Sequence, residues 1–452
     1  MDDDYRRLAD RIADDIASGR LRPGERLPPQ RAFARRRGIA GSTAGRVYGE
    51  LVRRGLVVGE VGRGTFVRAA PPAPNGRALA EPVAAAMAPR VNLELNYPSA
   101  PGQSELLAPA LAPLLRPDVL TEALRPAPAD GTPEARAAVA KLLATPGWRP
   151  DPDGVLFAGN ARQAIAATLA SLVRPGGRVG VEALTYPLVK EIAARLGIVL
   201  VPLAMDQDGV RPDAVAAAHR GAPLSALYVQ PTLHNPTSVT MGEGRKRELA
   251  RVVWELGLPV VEDRIWSFLT DREVGEPLAA HLPELAHVVD GLSKRVAPGL
   301  TVGFLVVPPG RAEAVAAAVR SGGWSAGRFA LEAGVRWVED GTVARLVAAK
   351  RVDAARRQRL LARELAEFGA AVRSDPYAYY AWWELPASWR ADTFTAAVAA
   401  HGIAVTPGDA FAVGPQRAPD AVRLGLASAP EPELARALRT LAAVARRGRT
   451  GR

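Results

Sequence analysis

The sequence predicts an α/β protein in two unequal parts: a small helical head ending in a β-hairpin, and a large domain of alternating strands and helices around a mainly parallel sheet. Three observations carry this. The first 68 residues hold three helix-length apolar patterns and a glycine-bounded strand pair. Residues 69–91 are rich in Pro and Ala and read as a linker, partly extended by its prolines. Short apolar runs then alternate with Ala/Leu-rich helical stretches over residues 92–452.

In the head, Leu8, Ile12 and Ile16 recur every four residues and mark the buried face of a first helix, which Gly19 ends. Leu27-Pro28-Pro29 precedes a second, running from about Pro29 through Arg35-Arg36-Arg37 to Gly38. Proline suits that first turn because its missing N–H has no intrahelical partner to lose there. After Gly38-Ile39-Ala40-Gly41, Ser42 or Thr43 is placed to cap a third helix. That helix turns Val47, Leu51 and Val52 inward and carries Arg46 and Tyr48 on or near other faces, and Gly55 stops it. Two short strands flank the tip Gly62-Arg63-Gly64 and lead into Thr65-Phe66-Val67. Helix, helix, turn, helix and hairpin make a winged helix-turn-helix, whose third helix enters the major groove of DNA. Charge agrees: residues 1–68 hold 15 Arg against 9 Asp and Glu in a chain of net charge +11, making the head the candidate polyanion binder.

These residues resemble the GntR family over the whole head, through Leu27-Pro28, Arg31, Val47-Tyr48 to Leu51, Gly55 and Gly62-x-Gly64-Thr65-Phe66-Val67. The resemblance implies that Arg31, Ser42, Thr43, Arg46, Tyr48, Arg63 and Gly64 approach duplex DNA, mostly at phosphates, which set register and carry little sequence information. Ala40-Gly41 stands where the family usually has Ser-Arg, so affinity or operator choice should differ.

In the large part, apolar runs fall at 155–158, 179–182, 198–203, 224–229, 258–261 and 302–307, and from about Ala370 shorter elements suggest a smaller C-terminal subdomain. No run approaches the roughly 18 apolar residues that span a bilayer, and the acidic start Met1-Asp2-Asp3-Asp4 is unlike a signal peptide, so no membrane and a cytoplasmic location are expected. The absence of cysteine excludes disulfides and thiol catalysis, and the five histidines have no ligand spacing, so no metal is expected.

Six segments carry the chemistry. Leu156 to Ala164 reads as strand, loop and helix, where N-terminal amides can hold phosphate. Glu182 to Pro187 contains Tyr186, Tyr228 to Thr237 contains Asn235, and Val260 to Asp263 ends a strand in a carboxylate. Gly291-Leu292-Ser293-Lys294-Arg295-Val296-Ala297-Pro298-Gly299-Leu300 places a lysine between apolar stretches, where burial makes an amine nucleophilic. Ala421 to Leu426 puts Arg423 in a strand.

In order and spacing these segments resemble fold type I aminotransferases across residues 93 to 445, which bind pyridoxal phosphate. The resemblance implies Lys294 as the imine-forming and catalytic lysine, with Ala161 and Arg162 donating to phosphate and Tyr186 stacking on the ring. It also implies Asn235 on the ring hydroxyl oxygen, Asp263 on the ring nitrogen, and Trp266, Ser293 and Arg295 beside the cofactor. Arg423 would grip an effector carboxylate, for which a planar guanidinium is suited. Four positions depart from the pattern: Gly291 replaces a phosphate-binding serine, Thr301 an arginine, Trp266 a tyrosine and Asn160 a glycine. Arg162 or Arg295 is left to supply the missing phosphate charge.

Head and body in this order resemble the MocR-type subfamily of GntR regulators. That implies a homodimer in which an amino compound, sensed at the Lys294 imine, changes how the DNA-reading helices are presented. The alternatives are a working aminotransferase that carries a DNA-binding domain, and a regulator whose body has lost the cofactor and only dimerises.

Overall fold

The structure, a computed structural model of the chain, describes residues 3–18, 20–21, 24–60, 64–68, 90–270, 275–299, 302–414 and 418–450. Gly19, Gly62, Arg63, Thr301 and linker residues 69–89 lie outside them.

The head contains α1 (Asp3–Ala17), β1 (Arg26–Leu27), α2 (Gln30–Arg37), α3 (Gly41–Arg53), β2 (Val57–Glu60) and β3 (Gly64–Val67). Ala9 and Ile12 of α1, Phe33 and Ala34 of α2, and Ala44, Val47 and Leu51 of α3 bury one apolar core. Gly38 ends α2 at φ 62, a left-handed conformation that costs glycine nothing. The wing has three strands in the order β1-β3-β2, one more than expected, because a two-residue strand is too short to show alternation. Gly64 sits at φ +119, a conformation that residues with side chains rarely adopt, and the end of the Arg26 side chain packs where a Cβ would be.

Three expectations for α3 need correction, the first being Val52, which is exposed rather than turned inward with Val47 and Leu51. The N-cap of the helix is Ala40, without a side-chain cap, so Ser42 and Thr43 sit in the first turn rather than before it. Tyr48 is buried, edge-on to Phe33 at 5.4 Å, and its hydroxyl donates to Pro28 O at 2.5 Å. It is a core residue holding α3 to the α2 entry, not a DNA contact.

The body is built on seven strands: β4 (Val155–Ala158), β5 (Arg178–Glu182), β6 (Val199–Leu203), β7 (Ala226–Val229), β8 (Val260–Asp263), β9 (Ala286–Gly291) and β10 (Gly303–Val306). Their order is β4-β10-β9-β8-β7-β5-β6. All pairs are parallel except those of β10, which runs antiparallel to both β9 and β4. Alternate side chains fill two cores: Phe157, Leu227, Val260, Val288 and Phe304 on one face, and Leu156, Tyr228, Val261, Val289 and Leu305 on the other. Burial of both faces is why these strands read as continuous apolar runs. β9 is absent from the six runs because His287, Asp290 and Gly291 interrupt it.

A smaller antiparallel sheet follows, made of β11 (Val372–Ser374), β12 (Tyr380–Glu384), β13 (Thr406–Pro407) and β14 (Ala421–Gly425) in the order β11-β12-β14-β13. Val91 and Asn92 pair in parallel with Ile403 and Ala404. Val91, placed in the linker by composition, is therefore part of a strand. Among the described residues no helix is long and apolar enough to cross a membrane.

Candidate functional site

The parallel strands end at a cavity of about 390 Å³, the usual place for a ligand in a sheet of this kind. Lys294, Asp263, Asn235, Tyr186, Arg162 and Arg423 line it together, as do Ala161, Trp266 and Ser293.

Lys294 stands on α5 (Leu292–Arg295), a single turn that follows β9 directly. Its Nζ donates to Asn96 O at 2.6 Å and lies 4.6 Å from the Tyr97 ring centre and 5.3 Å from that of Trp266. Enclosure of the amine, reinforced by the guanidiniums of Arg423 and Arg162 and by Lys350, pushes its pKa down to about 7. The turn itself is held from α6 (Thr342–Glu364): Lys350 Nζ donates to the carbonyls of Lys294 at 3.0 Å, Arg295 at 3.0 Å and Val296 at 2.8 Å. Burial pushes the Lys350 amine down to about 7 as well, and its charged form has the three donors that these three carbonyls accept.

Asp263 closes β8. Its Oδ2 accepts from Tyr228 Oη at 2.6 Å and Gln230 Nε2 at 2.9 Å, while Oδ1 accepts from the Ile265 amide at 3.0 Å. Burial outweighs these hydrogen bonds and raises its pKa to about 6. Gln230 also accepts from the Asn235 amide at 3.3 Å, so one side chain ties Asp263 to Asn235.

Arg423, on β14, is buried. It donates to Asn235 Oδ1 at 3.3 Å, to Thr406 Oγ1 at 3.2 Å and to the Glu94 carbonyl, while its Nε has no partner among the described residues. Burial lowers its pKa to about 10, so it is cationic at neutral pH. A buried guanidinium in a cavity wall, cationic at neutral pH, favours an anionic ligand.

At the opposite end, α4 (Ala161–Leu172) points its N-terminus at the cavity. Asn160 caps it by accepting from the Gln163 amide at 3.0 Å, leaving the amides of Ala161 and Arg162 without intrahelical carbonyls. With the Arg162 side chain beside them, this end suits a phosphate. Backbone fills the position of the missing serine: a Cβ on Gly291 would come 2.8 Å from Val302 O.

Arg295 does not reach the cavity. Its guanidinium pairs with buried Asp290 and lies 5.2 Å from the Phe268 ring centre, so the charge expected to compensate at the phosphate end falls to Arg162. Trp266 is buried against Phe268 and Tyr380, offering the cavity an aromatic face without a hydroxyl. Sequence reasoning missed Tyr228, Gln230, Asn96 and Lys350. A signal for Gln230 existed: Val229 pairs with Glu262, which puts Gln230 opposite Asp263 on one face of adjacent strands. None existed for Lys350, 56 residues from Lys294.

On the head, Arg31, Ser42 and Arg46 are exposed along α2 and α3, and Thr43 and Gly64 are half-buried. Among the described residues no cluster of side chains has the makings of a metal site.

Sheet, cavity and lysine together define an aminotransferase-type body. The sequence profile of aminotransferase class I and II matches residues 121–441, and the chain belongs to that family. The profile of the bacterial regulatory proteins of the gntR family matches residues 4–67. Head and body together fit a MocR-type GntR regulator. Similar proteins include YdeF of Bacillus subtilis, named an uncharacterized HTH-type transcriptional regulator, 29% identical over 419 residues, 92% of this chain and 88% of that one. YdcR of Escherichia coli, named likewise, is 25% identical over 437 residues, 91% and 92% of the two chains. The solved alpha-aminoadipate aminotransferase LysN of Thermus thermophilus has a TM-score of 0.72 at 22% identity, covering 84% of this chain and 96% of that one, a likeness of fold.

Proposed function

We propose that this chain is a dimeric, cytoplasmic transcription regulator whose head binds an operator and whose body holds pyridoxal phosphate through Lys294 to sense an amino compound. The observation that carries this reading is the enclosed Lys294 amine in one cavity with Asp263 and Arg423, in a chain that also bears a GntR-type head. The names of the two regulators similar along nine-tenths of the chain support it. The cavity fits the cofactor at both ends, with α4 amides and Arg162 for phosphate and Asp263 for a ring nitrogen that must stay protonated.

When bound, pyridoxal phosphate supplies a carbonyl carbon open to primary amines and an electron-withdrawing ring. The chain does the rest. Lys294 presents a neutral amine above about pH 7, Asp263 is ionised above about 6, and Asn235 and Tyr186 border the ring space. Arg423 receives the carboxylate of an incoming amino acid. Such a ligand switches DNA binding only through unequal affinity for two arrangements of the protein. Trp266 brings no hydroxyl to the site, which favours sensing over rapid turnover.

Borohydride reduction of the cofactor-loaded chain, followed by peptide mapping, should label Lys294. A label on another lysine, or none after cofactor is added, rejects the assignment.

A further inference from the structure

The charged groups of the cavity can be matched one by one with the ligands proposed above. Arg162 faces phosphate, Asp263 the ring nitrogen, Lys294 the carbonyl carbon and Arg423 a carboxylate. One anionic side chain in the wall, Glu94, is left over.

Its position is specific. The segment Glu94-Leu95-Asn96-Tyr97 runs along the cavity from Arg423, which donates to the Glu94 carbonyl, to Lys294, which donates to the Asn96 carbonyl. An amino acid with its amino group at Lys294 and its carboxylate at Arg423 would lie against this segment. The Glu94 amide is occupied by Asn92 Oδ1 at 2.8 Å, but no hydrogen bond or ion pair to the Glu94 carboxylate occurs among the described residues. Burial raises its pKa and the Arg423 charge opposes that rise. A partly buried carboxylate in that state is stabilised by any cation delivered to it.

We infer that the amino compound sensed here carries a second cationic group, as a basic amino acid does, and that the Glu94 carboxylate receives it. This rests on the sensing role proposed above. An amino acid with an acidic side chain would set two carboxylates against each other, and an apolar one would leave Glu94 desolvated without compensation.

Calorimetric titration of the full-length, cofactor-loaded protein at pH 8 with L-lysine, L-ornithine, L-norleucine and L-glutamate tests it. L-Lysine or L-ornithine should bind roughly tenfold or more tightly than L-norleucine, and L-glutamate most weakly. In Glu94→Gln the ratio of norleucine to lysine or ornithine dissociation constants should fall to within about threefold, and Glu94→Asp should keep part of it. Equal binding of norleucine in the unmodified protein, or a preference that survives in Glu94→Gln, overturns the role of Glu94 and leaves sensing intact. Failure of L-lysine and L-ornithine to bind also overturns this inference, while the sensing reading stands or falls separately on the borohydride label at Lys294.

Discussion

Arg423 is held in the cavity wall by Asn235, Thr406 and the Glu94 carbonyl, a buried cation that an anionic ligand would satisfy. Arg423→Met should weaken an amino-acid effector by about 2 kcal/mol, roughly 30-fold, in an operator-binding titration, the size of a lost charge-assisted pair. An unchanged effector midpoint would assign the carboxylate elsewhere or make the ligand a simple amine. Lys294 sets the pH dependence. Its pKa falls from 10.5 to about 7, so the amine is neutral above about 7 and protonated below it. The rate of cofactor uptake, followed by visible absorbance, should therefore drop as pH falls through about 7; a midpoint near 10 would mean the enclosure has no effect. Between those values the unfolded chain binds more protons at this group than the folded one, so its contribution to stability rises with pH.

At the scale of elements, α5 is too short to hold itself, and Lys350 on α6 secures it by three carbonyl bonds. Lys350→Met keeps the aliphatic stem but strands those carbonyls, which should cost about 2–4 kcal/mol in chemical denaturation. Because Lys350 also helps lower the Lys294 pKa, the uptake midpoint should move toward higher pH in the same variant, a change that loss of packing alone does not produce. Lys350→Arg, which retains the charge, should keep the midpoint closer to its original value. In the head, α2 and α3 turn Arg31 and Arg46 outward while Tyr48 faces in. Replacing either arginine with alanine should weaken operator binding and reduce the salt slope by about one counterion each, by fluorescence anisotropy across a salt series. A salt slope unchanged from that of the unmodified protein in both variants would place the DNA face elsewhere.

Across the whole molecule, one short helix-turn-helix covers little DNA, and paired half-sites add affinity and fix spacing. Analytical ultracentrifugation of the full chain should show a dimer at micromolar concentration, with an operator protected on two half-sites about one or two helical turns apart. A monomer that binds one half-site with full affinity would defeat the two-fold arrangement. The two ends are physically close: the Arg390 guanidinium, next to the helix Ala391–Ala399 of the smaller subdomain, lies 5.0 Å from the ring centre of Phe66 in the wing.

How much of this was legible in the sequence follows from what is local. Helical periodicity, cap residues and glycine positions depend on neighbours a few residues apart, so all three head helices and six of the seven large-sheet strands showed in the residue pattern, as did the lysine in its motif. Strands buried on both faces announce themselves by apolar runs, and β9 escaped because His287, Asp290 and Gly291 interrupt its run. The tertiary structure alone decided which way ambiguous side chains turn. Arg295 faces Asp290 instead of the cavity, Tyr48 fills the head core, and Lys350 reaches α5 from a distant helix. Each outcome depends on partners distant in the chain, and burial selects the arrangement in which a charge or hydroxyl finds such a partner, a choice invisible to local pattern.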